Sequence, residues 1–207
     1  MEMFEKKKLY ENFIKKQDKL IQQLMLGERE YKWLQSLFLC LNTRFEQIIY
    51  VTRNSGTLFV ITSEITYLEK SIMPTQIDIY GYILDGRNCS NATHHIYSEI
   101  NYAIDFSGQV DYVWIDDNIG SVKGKGYGSL MMESFLRLLK HMGFSCFVKG
   151  RLSPIDGLDK ENDARRRHYY KKFGFDITED DFVCLDLSKS DKTSDNGKEK
   201  TNDKPII

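Results

Sequence analysis

Apolar residues recur at helical spacing from the first residues of the chain. Leu9, Tyr10, Phe13, Ile14, Leu20, Ile21, Leu24 and Met25 form one stripe, with Lys, Glu and Gln between them. This pattern predicts an amphipathic helix over 3–26, stopped by Gly27. Tyr31, Trp33, Leu34, Leu37, Phe38 and Leu41 predict a second helix over 28–42. The pair either packs on the domain core or joins two copies as a homodimer. From residue 46 the period falls to two. Strands are predicted at 48–52 and 57–62, around the hairpin signal Asn54-Ser55-Gly56. Further strands are predicted at 77–84, 96–106 and 109–115. A helix over 127–142 follows, with Met131, Phe135, Leu138 and Met142 as its apolar stripe and Glu133–Arg137 as an outer i,i+4 pair. The pattern closes with a strand at 144–148, a helix at 160–172 and a strand at 182–187. An antiparallel meander followed by strand–helix–strand–helix–strand is an α/β arrangement: a mixed, mostly antiparallel sheet with helices on both faces. The chain divides into an N-terminal helical segment, 1–45, a domain, 46–187, and a tail, 188–207. The tail mixes both charges with Ser, Thr and Asn, and lacks the apolar surface to offset its ordering entropy.

Composition narrows the class. With 207 residues, 41% of them hydrophobic, the chain can bury a core without staples. The net charge of −1 gives no general attraction to nucleic acid or to an anionic membrane. Cys40, Cys89, Cys146 and Cys184 are scattered without metal-ligand spacing, so no metal site is expected. Cys40 and Cys146 sit in apolar runs and read as buried thiols. The N-terminus carries no apolar signal region, and no run of about 18 apolar residues occurs. The expectation is a reduced, cytoplasmic protein with no membrane partner.

Candidate chemistry concentrates at 121–129, SVKGKGYGS, between a strand and a helix. A helix N-terminus presents unpaired N–H groups and partial positive charge. Glycines let an anion approach those groups closely. Lys123 and Lys125 add charge. The loop therefore reads as a phosphate cradle. It lacks the GxxxxGK[ST] spacing of a P-loop and the GxGxxG turn of a dinucleotide fold.

A second signature lies at 163–175, DARRRHYYKKFGF. The two together resemble the GNAT-type N-acetyltransferases. Lys123-x-x-Gly126-x-Gly128 is similar to that family's first motif, with Lys123 in place of its usual Arg or Gln. Tyr169-Tyr170-x-Lys172-x-Gly174-Phe175 is similar to its second, with Asp163 at the Asn position and Asn162 beside it. The resemblance is good over 109–176 and rests on strand order over 46–108. It implies a GNAT-like fold and acetyl-CoA as cofactor. The diphosphate would be held by Lys123, Gly124, Lys125, Gly126, Tyr127, Gly128 and Ser129, with Asn162 as a further contact. The pantetheine arm would lie along Val113, Trp114 and Ile115, beside a slot where the next strand splays away.

The implied reaction is acetyl transfer to a primary amine of a small molecule or peptide. An alkyl amine with a pKa near 10.4 is about one part in 10³ neutral at pH 7, so a proton acceptor is needed. Tyr170 is the candidate general acid. Glu99 is the candidate base, with Asp116 and Asp117 behind it. A non-catalytic acyl-CoA-binding or regulatory module on the same fold remains open. So does a nucleic-acid contact through Arg165, Arg166, Arg167, His168, Lys171 and Lys172, though helical spacing spreads those charges around the helix.

Overall fold

The structure is a computed structural model, described here over residues 27–54, 56–69, 72–84, 91–104, 108–153 and 159–189. The predicted helix over 3–26 and nearly all of the tail lie outside these residues. Three helices and eight strands follow in order: α1 (Glu28–Asn42), β1 (Gln47–Asn54), β2 (Thr57–Tyr67), β3 (Pro74–Ile83), β4 (His94–Tyr102) and β5 (Val110–Gly120). Then come α2 (Tyr127–His141), β6 (Phe147–Arg151), α3 (Lys160–Lys172), β7 (Asp176–Ile177) and β8 (Phe182–Asp186). The strands form one sheet in the order β1-β2-β3-β4-β5-β6-β8-β7. Every neighbouring pair is antiparallel except β5 with β6. A parallel pair needs a long crossover, and α2 supplies it.

Side chains alternate across the sheet. Phe59, Ile61, Ile77, Ile79, Ile96, Val113 and Ile115 point to one face, under α2 and α3, where Met131, Met132, Phe135 and Leu139 close the core. Leu138 and Met142, expected in that stripe, are only half-buried. The stripe runs 131–132–135–139 because the helix meets the sheet with its Met132 side turned inward. Arg137 lies with its guanidinium 5.5 Å from the centre of the Tyr50 ring.

The opposite face carries Val51, Leu58, Val60 and Tyr82, and α1 covers it with Trp33, Leu34, Leu37 and Leu41. The second predicted helix thus packs on the domain itself. Beneath α1, Glu46 is buried and accepts hydrogen bonds from Thr62 Oγ1 (2.5 Å) and Tyr82 Oη (2.8 Å). Those two donors satisfy a carboxylate that would otherwise be costly to bury. Of the two cysteines expected in the core, Cys146 is buried, whereas Cys40 on α1 is half-exposed.

Several strands differ from expectation: β2 runs on to Tyr67, β4 spans His94–Tyr102 and stops four residues short of the predicted end, and β7 was not predicted. β5 continues five residues past Ile115, through Asp116, Asp117 and Asn118 to Gly120. The predicted strand at 144–148 is displaced to Phe147–Arg151, because Gly143 ends α2 with φ +80° and the chain must still turn.

The seat of α1 is the fold's most direct energetic test. Leu37→Ala should cost about 2–5 kcal/mol in urea unfolding, the range for emptying a fully buried Leu site. A loss below about 1 kcal/mol would show that α1 does not pack as described.

Candidate active site

The parallel pair builds the site. β5 and β6 are joined from Tyr112–Phe147 to Ile115–Gly150 and no further. Beyond that point β6 pairs only with β8, through Arg151–Phe182, while β5 pairs only with β4. Among the described residues, no strand pairs with 116–120 on the edge toward β6, and the Asn118 N–H donates to the Asp117 carboxylate at 2.7 Å. Val113 and Ile115 are themselves buried and paired, so the open edge begins after the residues that the motif resemblance pointed to. Trp114 faces the other side of the sheet, with its ring 6.3 Å from that of Phe182.

A register shift shapes this edge. Ser98 pairs with Ile115, but Tyr97 pairs with Asp117, so Asp116 is an extra residue on β5. Such a bulge reverses which side chains face which way. Asn118 consequently faces α3, where Asp117 would have pointed under an unbroken alternation.

Asn118 meets two tyrosines there. Its Nδ2 donates to Tyr169 Oη at 3.2 Å, and Tyr169 Oη donates to the Gly128 carbonyl at 2.8 Å. A Cβ at Gly128 would lie 3.6 Å from the Tyr169 ring, in ordinary contact. Tyr170 is 8% exposed, and its ring packs edge-on against Phe175 and Tyr169, each at 5.3 Å. Burial raises the pKa of Tyr170, and a hydrogen bond with Asn118 partly opposes the rise. Its phenol stays protonated at neutral pH. Tyr169, passed over in favour of its neighbour by the motif, ties α3 to both α2 and β5.

The glycine loop enters α2 without a side-chain cap. Gly124 (φ +75°) and Gly126 (φ +79°, the N-cap) adopt the left-handed conformation that glycine tolerates. The first helical amide bond is Leu130 N–H to the Gly126 carbonyl at 3.2 Å, and the first turn holds no acidic residue. α3 is the contrast. Asp159 caps it by accepting the amides of Glu161 (3.0 Å) and Asn162 (3.2 Å), and Glu161 and Asp163 occupy its first turn. Of these two helix starts, the one after β5 is prepared for an anion from outside.

The surroundings fix the loop. Asn54, at the tip of the β1–β2 hairpin, donates from Nδ2 to the Lys125 carbonyl at 2.5 Å. One residue earlier, Arg53 grips Glu30 of α1 with both guanidinium nitrogens at 2.5 Å. His94, held neutral by burial, stands under the loop's root, with Nε2 3.3 Å from the Val122 carbonyl. Lys123 and Lys125 are exposed. Tyr127 turns its ring into the core, 4.7 Å from that of Phe59, so only its main chain is available to a ligand. Ser129 Oγ accepts from Lys172 Nζ at 2.9 Å. Asn162 Oδ1 is taken by Arg165.

Glu99 lies elsewhere. It is exposed on the opposite face, paired with Trp114 on β5. Asp116 is its neighbour: burial and the Glu99 charge raise the Asp116 pKa. The acid candidate and the base candidate thus sit on opposite faces of the sheet.

The basic run on α3 is largely engaged within the chain. Arg167 Nε bonds Asp163 at 2.7 Å, its other nitrogen meets Asp181, and Arg166 donates to the Ser153 carbonyl at 3.1 Å. Among the described residues no cluster of His, Cys, Asp and Glu could hold a metal ion, and no helix is long and apolar enough to cross a membrane.

No family model and no curated protein sequence matches this chain. Among solved structures, it is similar to Arabidopsis thaliana Naa50 in complex with a bisubstrate analogue, CoA-Ac-MVNAL. The identity is 18% and the TM-score 0.38, over 52% of this chain and 69% of that one. It is also similar to the AtaT Y144F mutant toxin bound to the C-terminus of the antitoxin AtaR and acetyl-CoA. There the identity is 10% and the TM-score 0.36, over 63% of this chain and 94% of that one. A strand, an uncapped glycine loop, a helix, a parallel strand parting from the first, a second helix and a returning strand follow in the order of a GNAT-type fold.

Tyr169→Phe tests the bridge between the helices. Removing the hydroxyl deletes its bonds to the Gly128 carbonyl and to Asn118, at an expected cost of about 1–3 kcal/mol in urea unfolding. An unchanged midpoint would mean that the bridge contributes nothing.

Proposed function

We propose that this chain is an N-acetyltransferase that takes an acetyl group from acetyl-CoA and passes it to a primary amine. One observation carries the reading: an uncapped glycine helix start and an open main-chain edge adjoin, at the carboxyl ends of two parallel strands that part. Acetyl-CoA presents a matching pair of features, a diphosphate and an amide-bearing arm. The amides at 124–129 receive the diphosphate oxygens, and Lys123 and Lys125 add positive charge at the surface. The edge at 116–120 offers N–H and C=O groups to the arm, as a neighbouring strand would.

The donor supplies an acetyl thioester, which the opening between β5 and β6 admits. From one face, Tyr170 holds a proton for the departing sulfur. From the other, Glu99 accepts the proton that the amine must lose. The amine nitrogen bonds to the acetyl carbon, the carbon–sulfur bond breaks, and the two protons end on sulfur and carboxylate. The sheet keeps the two groups apart, so they do not neutralise each other before the reaction. Positioned acid and base groups of this kind each contribute about 10²–10⁴ in rate.

Tyr170→Phe keeps the ring packing and removes only the hydroxyl. It should lower turnover at least tenfold and leave coenzyme A affinity, measured by calorimetry, within about threefold. Equal turnover in the variant, with a verified acceptor, would remove Tyr170 from the chemistry.

A further inference from the structure

Two carbonyls of the glycine loop are held by side chains that come from other strands. His94 opens β4 and pairs with Gly120, the last residue of β5. A Cβ at Gly120 would lie 2.9 Å from Cδ2 of the His94 ring. The φ of Gly120 is not positive, so the ring and not a turn calls for glycine there. The imidazole reaches past Gly120 to the Val122 carbonyl, 3.3 Å from Nε2. Three residues further on, Asn54 Nδ2 donates to the Lys125 carbonyl at 2.5 Å.

The neighbours of His94 decide which nitrogen carries its proton. Thr93 Oγ1 lies 3.0 Å from Nδ1 and 3.0 Å from the Gly81 carbonyl. That carbonyl already accepts the Thr93 N–H at 2.8 Å. Burial lowers the His94 pKa, so at neutral pH the ring has one proton. A single arrangement then gives both ring nitrogens a partner: the Thr93 hydroxyl donates to Nδ1, and Nε2–H donates to the Val122 carbonyl. The Thr93 carbonyl also accepts the Ser121 N–H at 2.9 Å. The root of the loop is therefore tied twice to residues 93–94.

Fixing a carbonyl fixes the amide that follows it. In a planar trans peptide the C=O and the next N–H point in opposite directions, and the described residues contain no cis bond. With the Val122 carbonyl turned toward His94, the Lys123 N–H points away from β4. With the Lys125 carbonyl turned toward Asn54, the Gly126 N–H points away from the β1–β2 hairpin. Among the described residues neither N–H donates to a main-chain acceptor, and both residues are exposed. A main-chain anion site needs its N–H groups presented and its carbonyl oxygens withdrawn, since the oxygens repel the charge that the amides attract. The two side chains achieve this at two separate peptides.

We propose that His94 and Asn54 are positioning residues for the anionic donor: they draw the Val122 and Lys125 carbonyls back and so present the Lys123 and Gly126 amides to a diphosphate. Both act through the main chain of the loop. That the diphosphate belongs to acetyl-CoA rests on the transferase reading; the orientation of the amides does not.

Calorimetric titration of the full chain with coenzyme A, and separately with inorganic diphosphate, tests this, with thermal melting to check that each variant is folded. Asn54→Ala and His94→Leu should each weaken both probes about fivefold or more, the factor that goes with one lost hydrogen bond. His94→Gln, whose side-chain amide can donate from near the place of Nε2, should bind within about twofold of the unaltered chain. A merely structural role would lower the melting temperature and leave the affinity of the folded protein unchanged. Unchanged affinity for both probes in folded Asn54→Ala would overturn the proposal for Asn54. An equal loss in His94→Gln and His94→Leu would assign the effect to packing and overturn it for His94. The two probes keep the ideas apart. Coenzyme A bound equally by the unaltered chain and all variants removes only the positioning proposal. Diphosphate bound with the expected losses, but no coenzyme A bound, removes only the transferase reading. Neither probe bound by the unaltered chain removes both.

Discussion

One hydroxyl joins three elements of the site. Tyr169 on α3 gives its proton to the Gly128 carbonyl in the first turn of α2 and takes one from Asn118 on the open half of β5. The geometry of this junction depends on the extra residue at Asp116. Without that bulge the residue facing α3 would be an acid, and two buried tyrosines would meet a carboxylate. The amide of Asn118 instead serves both phenols without bringing charge into a low-dielectric pocket. The same bulge increases the twist of β5 at the point where it leaves β6. A single insertion in strand register thus aligns the helix start, the open edge and the tyrosine pair.

The site is polar across the sheet rather than along it. On the helix side, the groups are main-chain amides, phenols and exposed lysines. On the other side stand the carboxylates of Glu99 and Asp116. The hairpin tip supports this division by using neighbouring residues on opposite faces: Arg53 fastens to α1, and Asn54 fastens to the glycine loop. α1 and the loop are therefore held to the same short turn, although residues 43–120 separate them in the chain.

The periodicity of the sequence made the element order and the sheet-on-helix core readable, because helices and strands write their buried faces at different intervals. Helix α3 begins at Lys160 as expected, since Asp159 is a side chain that caps well. The misses have physical causes. The outer half of β5 holds Asp116, Asp117 and Asn118, residues that favour turns when read alone; strand pairing with β4 overrides that preference. β7 is two residues long and carries no readable period. The glycine loop was legible as a left-handed entry into α2, because that turn needs glycine. The role of Tyr169 was not, because two adjacent tyrosines differ only in direction around α3, and the partner that selects one of them comes from a bulge.

Amide hydrogen exchange, with and without coenzyme A, tests the central claim most directly. The account predicts slowed exchange at 124–129 and along 116–120, and none at the first turn of α3, whose amides Asp159 already holds. Unchanged exchange at the glycine loop under saturating coenzyme A, or protection that appears instead at the start of α3, would contradict it.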